Sequence, residues 1–570
     1  MALPNTHYGE EKIAEMLDGK KNLFFSGIGG VSMNSLAHIA HLRGFNVSGY
    51  DRAPSGITRK LEDMGVRVFY ESDEAHVKDA DALIYTLAMP ADNPEYAYAG
   101  AHGIPVISRA DYLGYVMTGY KNRIGVSGSH GKSTTTGMIA HILREAGEDP
   151  TAFNGAEMKE TGTVDMIGGD GHFVFEACEY MDSFLDFKPT VAVVLNIELD
   201  HVDYFKSLDQ IRASFTAFMN ITGRDGHAVY NLNDENCVKA ASGYCGNHVT
   251  FARNNKSAWV HSENETVTDG YAKFDAVEKD GTIAHVKLAI PGEQMIDDAL
   301  AAYAACRLSG LDGETVAKHL SSYGGVCRRM EKLCVSEKGA VLYSDYAHHP
   351  TEIESTLKAA RAMCKGKLNV VFQPHTFSRT AELFNDFVRV FAESGADTIL
   401  LCDIYPARET NIYGVSSAAL MGLVCKRGKK CRLALNFEDA ANKIDAMSED
   451  GDMMLVMGAG DVIKVAEILE EKGISAEVLN VATIKPFDAG AVLESVRKTG
   501  CVVVAEEHNM AGGLGELVAG VLAANAPAPV EYVNGGDIFG GSGKPQELVA
   551  AFGLDAGHIV AAAEKVIGRK

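Results

Sequence analysis

The run Gly125 to Gly137, G-V-S-G-S-H-G-K-S-T-T-T-G, holds the residue types needed to grip a triphosphate. Ile124 to Val126 reads as the end of a strand, and Met138, Ile139, Ile142 and Leu143 recur at helical spacing up to a stop at Gly147. In a strand, glycine loop and helix of this kind, successive backbone N–H groups turn toward phosphate and the helix N-terminus adds partial positive charge. Gly128, Ser129, His130, Gly131, Lys132, Ser133 and Thr134 are the expected nucleotide contacts, with Lys132 reaching the outer phosphates and Ser133 holding Mg2+. Val126 stands where such loops usually place a first glycine, which leaves the shorter pattern G-x-x-G-K-S-T. A plain glycine turn before a surface helix is the competing reading, and the Lys-Ser-Thr-Thr-Thr run argues against it.

The elements that would position further chemistry follow an alternating α/β pattern. Phe173 to Phe175 is an apolar strand delivering Glu176, and Val191 to Leu195 delivers Asn196 through His201. Both strand ends are expected on the sheet edge that carries the phosphate loop, where open α/β folds bind ligands. Carboxylate and imidazole beside a triphosphate point to a metal. Upstream, Asn22 to Ser26 reads as a strand, followed by the turn Gly27-Ile28-Gly29-Gly30, a helix with Met33, Leu36, Ala37, Ile39 and Ala40 on its apolar face, and a second strand from Phe45 to Gly49 ending at Asp51. Ser32 replaces the third glycine of a dinucleotide fingerprint, so the stretch supports a phosphate-bearing ligand without specifying NAD. Strands at Arg67 to Tyr70, Ala82 to Thr86 and Pro105 to Ser108 complete a Rossmann-like domain. From Cys327 the pattern restarts, with strands at Ala340 to Ser344, Leu368 to Gln373, Thr398 to Cys402 and Met453 to Met457, and with Asp345, His348, His349, His375 and Arg379 at or just after strand ends.

A chain of 570 residues is long enough for about three to five domains. Its formal charge of -23 argues against phosphate-backbone binding, which rests on clustered Lys and Arg, so no nucleic-acid partner is expected. Met1 to Lys21 is polar and acidic, and no run approaches membrane-spanning length; the expectation is a cytoplasmic protein without a membrane partner. Eleven scattered cysteines without a C-x-x-C pair read as reduced thiols.

From Asn22 to about Val465 the chain resembles the Mur ligase family, most closely its alanine-adding branch. The resemblance is carried by G-I-G-G at Gly27, G-S-H-G-K-S-T-T-T at Gly128, E-A-C-E-Y-M-D-S-F-L at Glu176 and N-I-E-L-D-H at Asn196. Further on come G-V-C-R-R at Gly325, D-Y-A-H-H-P-T-E-I at Asp345, Q-P-H-T-F-S-R-T at Gln373 and D-I-Y-P-A-R-E at Asp403. It implies a UDP-sugar-binding Rossmann-like domain at 1–120, a central P-loop-type ATPase domain at 121–325 and a second Rossmann-like domain that binds the amino acid at 326–465. The implied substrates are ATP, UDP-N-acetylmuramate and L-alanine, with Mg2+ as cofactor. Position by position, Gly27, Ile28, Gly29 and Gly30 would lie against the UDP-sugar diphosphate, which displaces NAD; Ser133, Glu176 and His201 would hold magnesium. Lys132, Asp345, His348, Arg328 and Arg329 would serve the reaction, and Tyr346, His375 and Arg379 the amino acid and phosphates. Where other branches carry a carbamylated lysine, Ile211 to Phe215 has phenylalanine, in agreement with the alanine-adding branch.

One segment departs from the family. Where G-x-H-N-x-x-N-A is usual near the adenine, the chain has Gly292-Glu293-Gln294-Met295-Ile296-Asp297-Asp298-Ala299. Met295 offers only packing and Asp298 replaces an amide by a charge, so altered nucleotide binding is expected. From about Gly473 the sequence resembles instead the C-terminal domain of transketolase-type enzymes, through T-I-K-P-F-D at Thr483, E-E-H-N at Glu506, G-G-L-G at Gly512 and F-G-G-S-G-K-P at Phe539. That resemblance implies a fourth α/β domain at 466–570, no thiamine diphosphate, and a homo-oligomeric contact or a transketolase-like partner. The competing functions are a related ligase that attaches a preformed peptide and a non-catalytic nucleotide-sugar scaffold.

Overall fold

Among the described residues up to Gly458, three parallel-centred sheets follow one another along the chain, as the repeated apolar-run and glycine-turn pattern requires. The computed structural model describes residues 3–87, 89, 90, 92–199, 204–336, 338–407, 409–458, 487, 489–506, 512–536 and 552–569. Contacts divide the chain into two units, Met1–Ala459 and Gly460–Lys570.

In the first sheet the strands lie in the order Arg67–Phe69, Asn46–Tyr50, Asn22–Ser26, Ala82–Tyr85, Val106–Ser108, all parallel. The strand order reverses about Asn22–Ser26, and the Gly27 turn leaves its carboxyl end at that switch point. The helix that follows, Val31–Leu42, buries Met33, Leu36, Ala37, Ile39 and Ala40, the face its spacing predicts.

The second sheet has ten strands. Asn122–Ser127, the strand before the phosphate loop, lies between His172–Glu176 and Val191–Val194, and the register pairs Val126 with Glu176 and Ser127 with Val194. That register is why Glu176 and Asn196 arrive beside the loop. The far edge is an antiparallel meander, Val260–Thr268, Tyr271–Glu278 and Ile283–Pro291, which alternates buried and exposed residues where the central strands are buried throughout. It ends at Pro291 and hands the chain to the helix Met295–Leu308, which packs against the helix after the phosphate loop, Lys132–Glu145.

The third sheet runs Glu331–Val335, Val341–Asp345, Met453–Met457, Leu368–Phe372, Thr398–Leu401, Cys431–Leu433, parallel except for its first strand. In the second unit, strands Val502–Ala505 and Val530–Val533 pair in parallel over a small core of Val492, Val496, Val504, Val518 and Leu522. Glu506 accepts from the backbone N–H groups of Leu514 and Gly515 at 2.6 and 2.9 Å, so an internal carboxylate sits at the start of the helix Leu514–Asn525. Most of the Thr483 segment and all of the Phe539 segment lie outside the described residues. All eleven cysteines are free thiols, and no helix among the described residues is long and apolar enough to cross a membrane.

Candidate functional site

The phosphate loop is held from below by the end of the neighbouring strand. The Asn196 side chain pairs with the His130 backbone in both directions, accepting from its N–H at 2.8 Å and donating to its carbonyl at 3.1 Å. Ser129 N–H donates to the Asn196 carbonyl at 3.1 Å, and the Ser129 hydroxyl accepts from Glu198 N–H at 2.8 Å. Gly128 and Gly131 take φ of +144° and +86°, a backbone that L side chains rarely adopt. No side chain caps the Lys132–Glu145 helix, which leaves its first-turn amides facing the loop as an anion site requires.

Lys132 is largely buried, with Nζ 2.5 Å from the Gly128 carbonyl and 3.3 Å from Glu179. Burial works against its charge, yet Glu179, Cys178 and Glu176 outweigh it and hold its pKa above the usual lysine value. The Ser133 hydroxyl donates to Glu176 Oε2 at 2.7 Å, and Gly155 N–H donates to the same oxygen at 2.9 Å. A Cβ at Gly155 would fall 2.5 Å from that oxygen, so the absence of a side chain there lets the carboxylate stand beside the hydroxyl. A hydroxyl and a carboxylate converging next to uncapped helix amides are the hard oxygen donors Mg2+ takes at a triphosphate. Ser133 and Glu176 therefore fit the group; His201, the third expected ligand, lies outside the described residues.

A cavity of about 290 Å³ opens beside the loop, between the second and third sheets. His130, Gly131 and Thr134 border it on one side, Ile290, Pro291, Met295, Asp297 and Asp298 on another, and Arg329, Asp345 and Glu352 close it. The departing segment thus shares a wall with the phosphate loop. Asp298 is buried, and burial together with the Asp297 charge pushes its pKa up to about 8. At neutral pH it carries a proton and offers a hydroxyl donor, so the site holds a neutral acid in place of a neutral amide. An unfolded Asp releases its proton near 4 while the folded one keeps it to about 8, so stability falls as pH rises across that window. The advantage of Asp298→Asn over the parent is expected to be about 3.5 kcal/mol larger at pH 8 than at pH 5, read from urea midpoints at the two pH values.

Arg329, Asp345 and Glu352 form the opposite wall, and Tyr346 and His348 join them through the Arg329 guanidinium and the Glu352 carboxylate. Of the two arginines, Arg329 lines the cavity, 3.6 Å from Glu352, while Arg328 donates to the Gly458 carbonyl at 2.6 Å. Both stack over Tyr346, at 4.9 Å for Arg328 and 5.4 Å for Arg329. Arg328 and Met330 adopt left-handed backbone, φ +59° and +43°, a strain the surroundings must hold. Asp345 does so: its carboxylate accepts from Met330 N–H at 2.7 Å and from Ala347 N–H at 2.8 Å. His348 Nδ1 lies 3.0 Å from the Tyr346 carbonyl, an acceptor only, so Nδ1 carries the proton and Nε2 is left as the basic nitrogen. Burial, reinforced by Arg379, keeps His348 below the ordinary imidazole range against the pull of Glu352. His375 stacks on Tyr405 and lies 6.0 Å from His348; burial, with His348 and Arg379, lowers its pKa to about 4.

Glu352, Glu198, Glu179 and Asn196 were given no role from sequence, although each sits inside a motif quoted above. Glu352 is the hub: it accepts from the His348 and His349 N–H groups at 3.1 and 3.4 Å and faces His130 at 3.3 Å. Its place three residues after His349, in a capping box at the start of Pro350–Met363, was the available signal. At the first sheet, the four amides of Gly27 to Gly30 meet acceptors within the chain: Gly27 and Ile28 donate to the Tyr50 carbonyl, Gly29 to Asp51 and Gly30 to the Gly27 carbonyl. The uncapped start of Val31–Leu42, next in the chain, keeps the anion-attracting end of a helix at that turn.

Comparison with known proteins agrees with this geometry. Residues 23–121 match the Mur ligase family catalytic domain, 126–306 the Mur ligase middle domain and 328–460 the Mur ligase glutamate ligase domain, while 451–559 match the transketolase C-terminal domain. A protein of Caldicellulosiruptor saccharolyticus named UDP-N-acetylmuramate--L-alanine ligase is 42% identical over 450 residues, 79% of this chain and 98% of the relative. A protein of the same name from Clostridium acetobutylicum is 39% identical over 456 residues, 80% of this chain and 98% of its own. The crystal structure of UDP-N-acetylmuramate-alanine ligase from Thermotoga maritima superposes with a TM-score of 0.67 at 25% identity, covering 79% of this chain and 99% of that one. A murein peptide ligase from Psychrobacter arcticus shares the fold, with a TM-score of 0.60 at 22% identity over 80% of this chain and 100% of its own. On these matches, the chain belongs to the Mur ligase family and carries at its carboxyl end a segment matching the transketolase C-terminal domain.

Proposed function

We propose that the protein is an ATP-dependent ligase that joins L-alanine to the lactyl carboxylate of UDP-N-acetylmuramate through an acyl phosphate, in peptidoglycan precursor synthesis. The observation that carries this reading is the cavity where the phosphate loop faces Arg329, Asp345 and Glu352, supported by relatives of that name matched over nearly their whole length. In this reading residues 1–120 bind the UDP-sugar, with its diphosphate at the Gly27 turn and the helix start beyond it; 121–325 bind ATP; 326–465 bind the amino acid; and 466–570 mediate contact between subunits.

The carboxylate attacks the γ-phosphate, its C–O–P bond forming as the bond to ADP breaks. Several negative charges must meet, and Lys132 and Arg329 offset their repulsion while the loop amides fix the phosphates in line. Ser133, Glu176 and His201 are the residues assigned to Mg2+, which when bound neutralises charge on the phosphate oxygens. The neutral amine of L-alanine then attacks the acyl carbon, phosphate leaves, and His348 Nε2 takes the amine proton. Asp345 acts through the Arg328–Met330 turn that it holds, and Tyr346, His375 and Arg379 frame the amino acid. A base with a depressed pKa stays neutral until acid pH, so kcat/KM is expected to hold level down through the ordinary histidine range and fall only below it. His348→Asn is expected to lose that acid limb and about a hundredfold in rate, measured as initial velocity against pH.

The direct test is phosphate release from ATP with Mg2+ and UDP-N-acetylmuramate, with and without L-alanine, with the product weighed by mass spectrometry. The alanyl product, formed only with L-alanine, is expected. Release driven by a preformed peptide instead would assign the peptide-adding reaction, and sugar-nucleotide binding without release would assign a scaffold.

A further inference from the structure

We propose that His130, Glu198 and His349 form a second metal site, for a transition ion of the Zn2+ or Co2+ class, that clamps the phosphate loop to the third sheet's domain. It is separate from the oxygen pair Ser133 and Glu176, and it does not rest on the reaction proposed above. One ligand atom from each of the three residues lies within 4.8 Å of the others. Two atoms bound at about 2.05 Å to a tetrahedral ion stand about 3.3 Å apart. His130 Nε2 and Glu198 Oε2, at 3.4 Å, already have that spacing. The rings of His130 and His349 lie 5.0 Å apart, so the third ligand needs only a small approach of one domain to the other.

The surroundings are those of a ligand set. His130 Nδ1 faces the buried carboxylate of Glu352 at 3.3 Å, the partner that keeps the Nδ1 proton when an ion takes the place of the proton shared between Nε2 and Glu198. Thr351 donates its hydroxyl to Glu198 Oε2 at 3.0 Å and orients that carboxylate. Asn196 pins the His130 backbone on both sides. Two imidazoles and one carboxylate suit zinc and its neighbours better than Mg2+, which takes oxygen ligands. The charges facing the site are Glu198, Glu352 and Arg329, the last 3.6 Å from Glu352 and stacked on Tyr346. With the ion bound, the phosphate loop and the start of Pro350–Met363 are tied together across the cavity mouth.

The test is titration of the full chain with Co2+, read by visible d–d absorption, against His349→Asn and Glu198→Gln. Asparagine is chosen because it keeps the helix cap that His349 provides. Circular dichroism establishes that each variant is folded. The expected result is the intense visible bands of four-coordinate cobalt at one equivalent, displaced by Zn2+, with affinity reduced about tenfold or more in each variant and unchanged in Glu176→Gln. No such bands in the parent, or bands that persist in both variants, as thiol binding at the free cysteines would give, overturns the proposal.

Discussion

Lys132→Ala is expected to lower alanine-dependent phosphate release by about a hundredfold to a thousandfold, the cost of removing one group aimed at charge developing in a transition state. The ammonium rests on its own loop, 2.5 Å from the Gly128 carbonyl and 3.2 Å from the Ser129 carbonyl, and an incoming phosphate chain would draw it outward. The same substitution takes the ion partner Lys132 from Glu179, whose side chain is 0% exposed. Removing one member of a buried pair costs about 3 to 5 kcal/mol, so the variant is expected to unfold at a lower urea concentration as well. Steady-state rates measured well below that concentration separate the two effects. Activity within tenfold of the parent in the folded variant would remove this loop from the phosphate site.

Glu352→Gln is expected to be among the most destabilising single changes in the first unit, by about 3 to 5 kcal/mol. It takes the counter-charge from His130 and Arg329 and turns one acceptor into a donor that faces the His348 and His349 N–H groups. The pH profile carries a specific signature. Burial opposes charge on His130, but hydrogen bonds to Glu198 and Glu352 prevail and raise its pKa to about 9. A histidine near 6.5 when unfolded and about 9 when folded contributes stability that is full below 6.5 and lost as pH rises through 9. Glu352→Gln is expected to flatten that decline, measured as urea midpoints from pH 6 to 9.5. A decline as steep as the parent's would mean that Glu352 does not hold the His130 charge.

The phosphate-binding unit was legible because its parts are contiguous: the apolar end of Asn122–Ser127, the glycines and the helix faces are fixed by local sequence. The Val31–Leu42 face was legible for the same reason. Glu352 was not, because its partners His130 and Arg329 come from other elements and only tertiary packing brings them to one carboxylate. The Gly27 turn illustrates a different limit. Its glycines mark a tight, anion-suited turn, but sequence does not say that Tyr50 and Asp51 would already satisfy its amides. Asp298 reads in sequence as a charge replacing an amide; burial beside Asp297 makes it a neutral acid instead. The meander Val260–Thr268 to Ile283–Pro291 is not legible in the sequence, because it carries no chemical motif and its exposed edge mixes polar residues into the strands.

The most direct measurement is the fate of oxygen-18 placed in the lactyl carboxylate of UDP-N-acetylmuramate, followed by mass spectrometry of phosphate and product in the presence of ATP, Mg2+ and L-alanine. The account predicts one labelled oxygen in each phosphate released and one retained in the new alanyl amide, because the carboxylate oxygen that attacks phosphorus leaves with it. Unlabelled phosphate, with both labels still on the sugar nucleotide, would contradict activation of the carboxylate and with it the ligase reading.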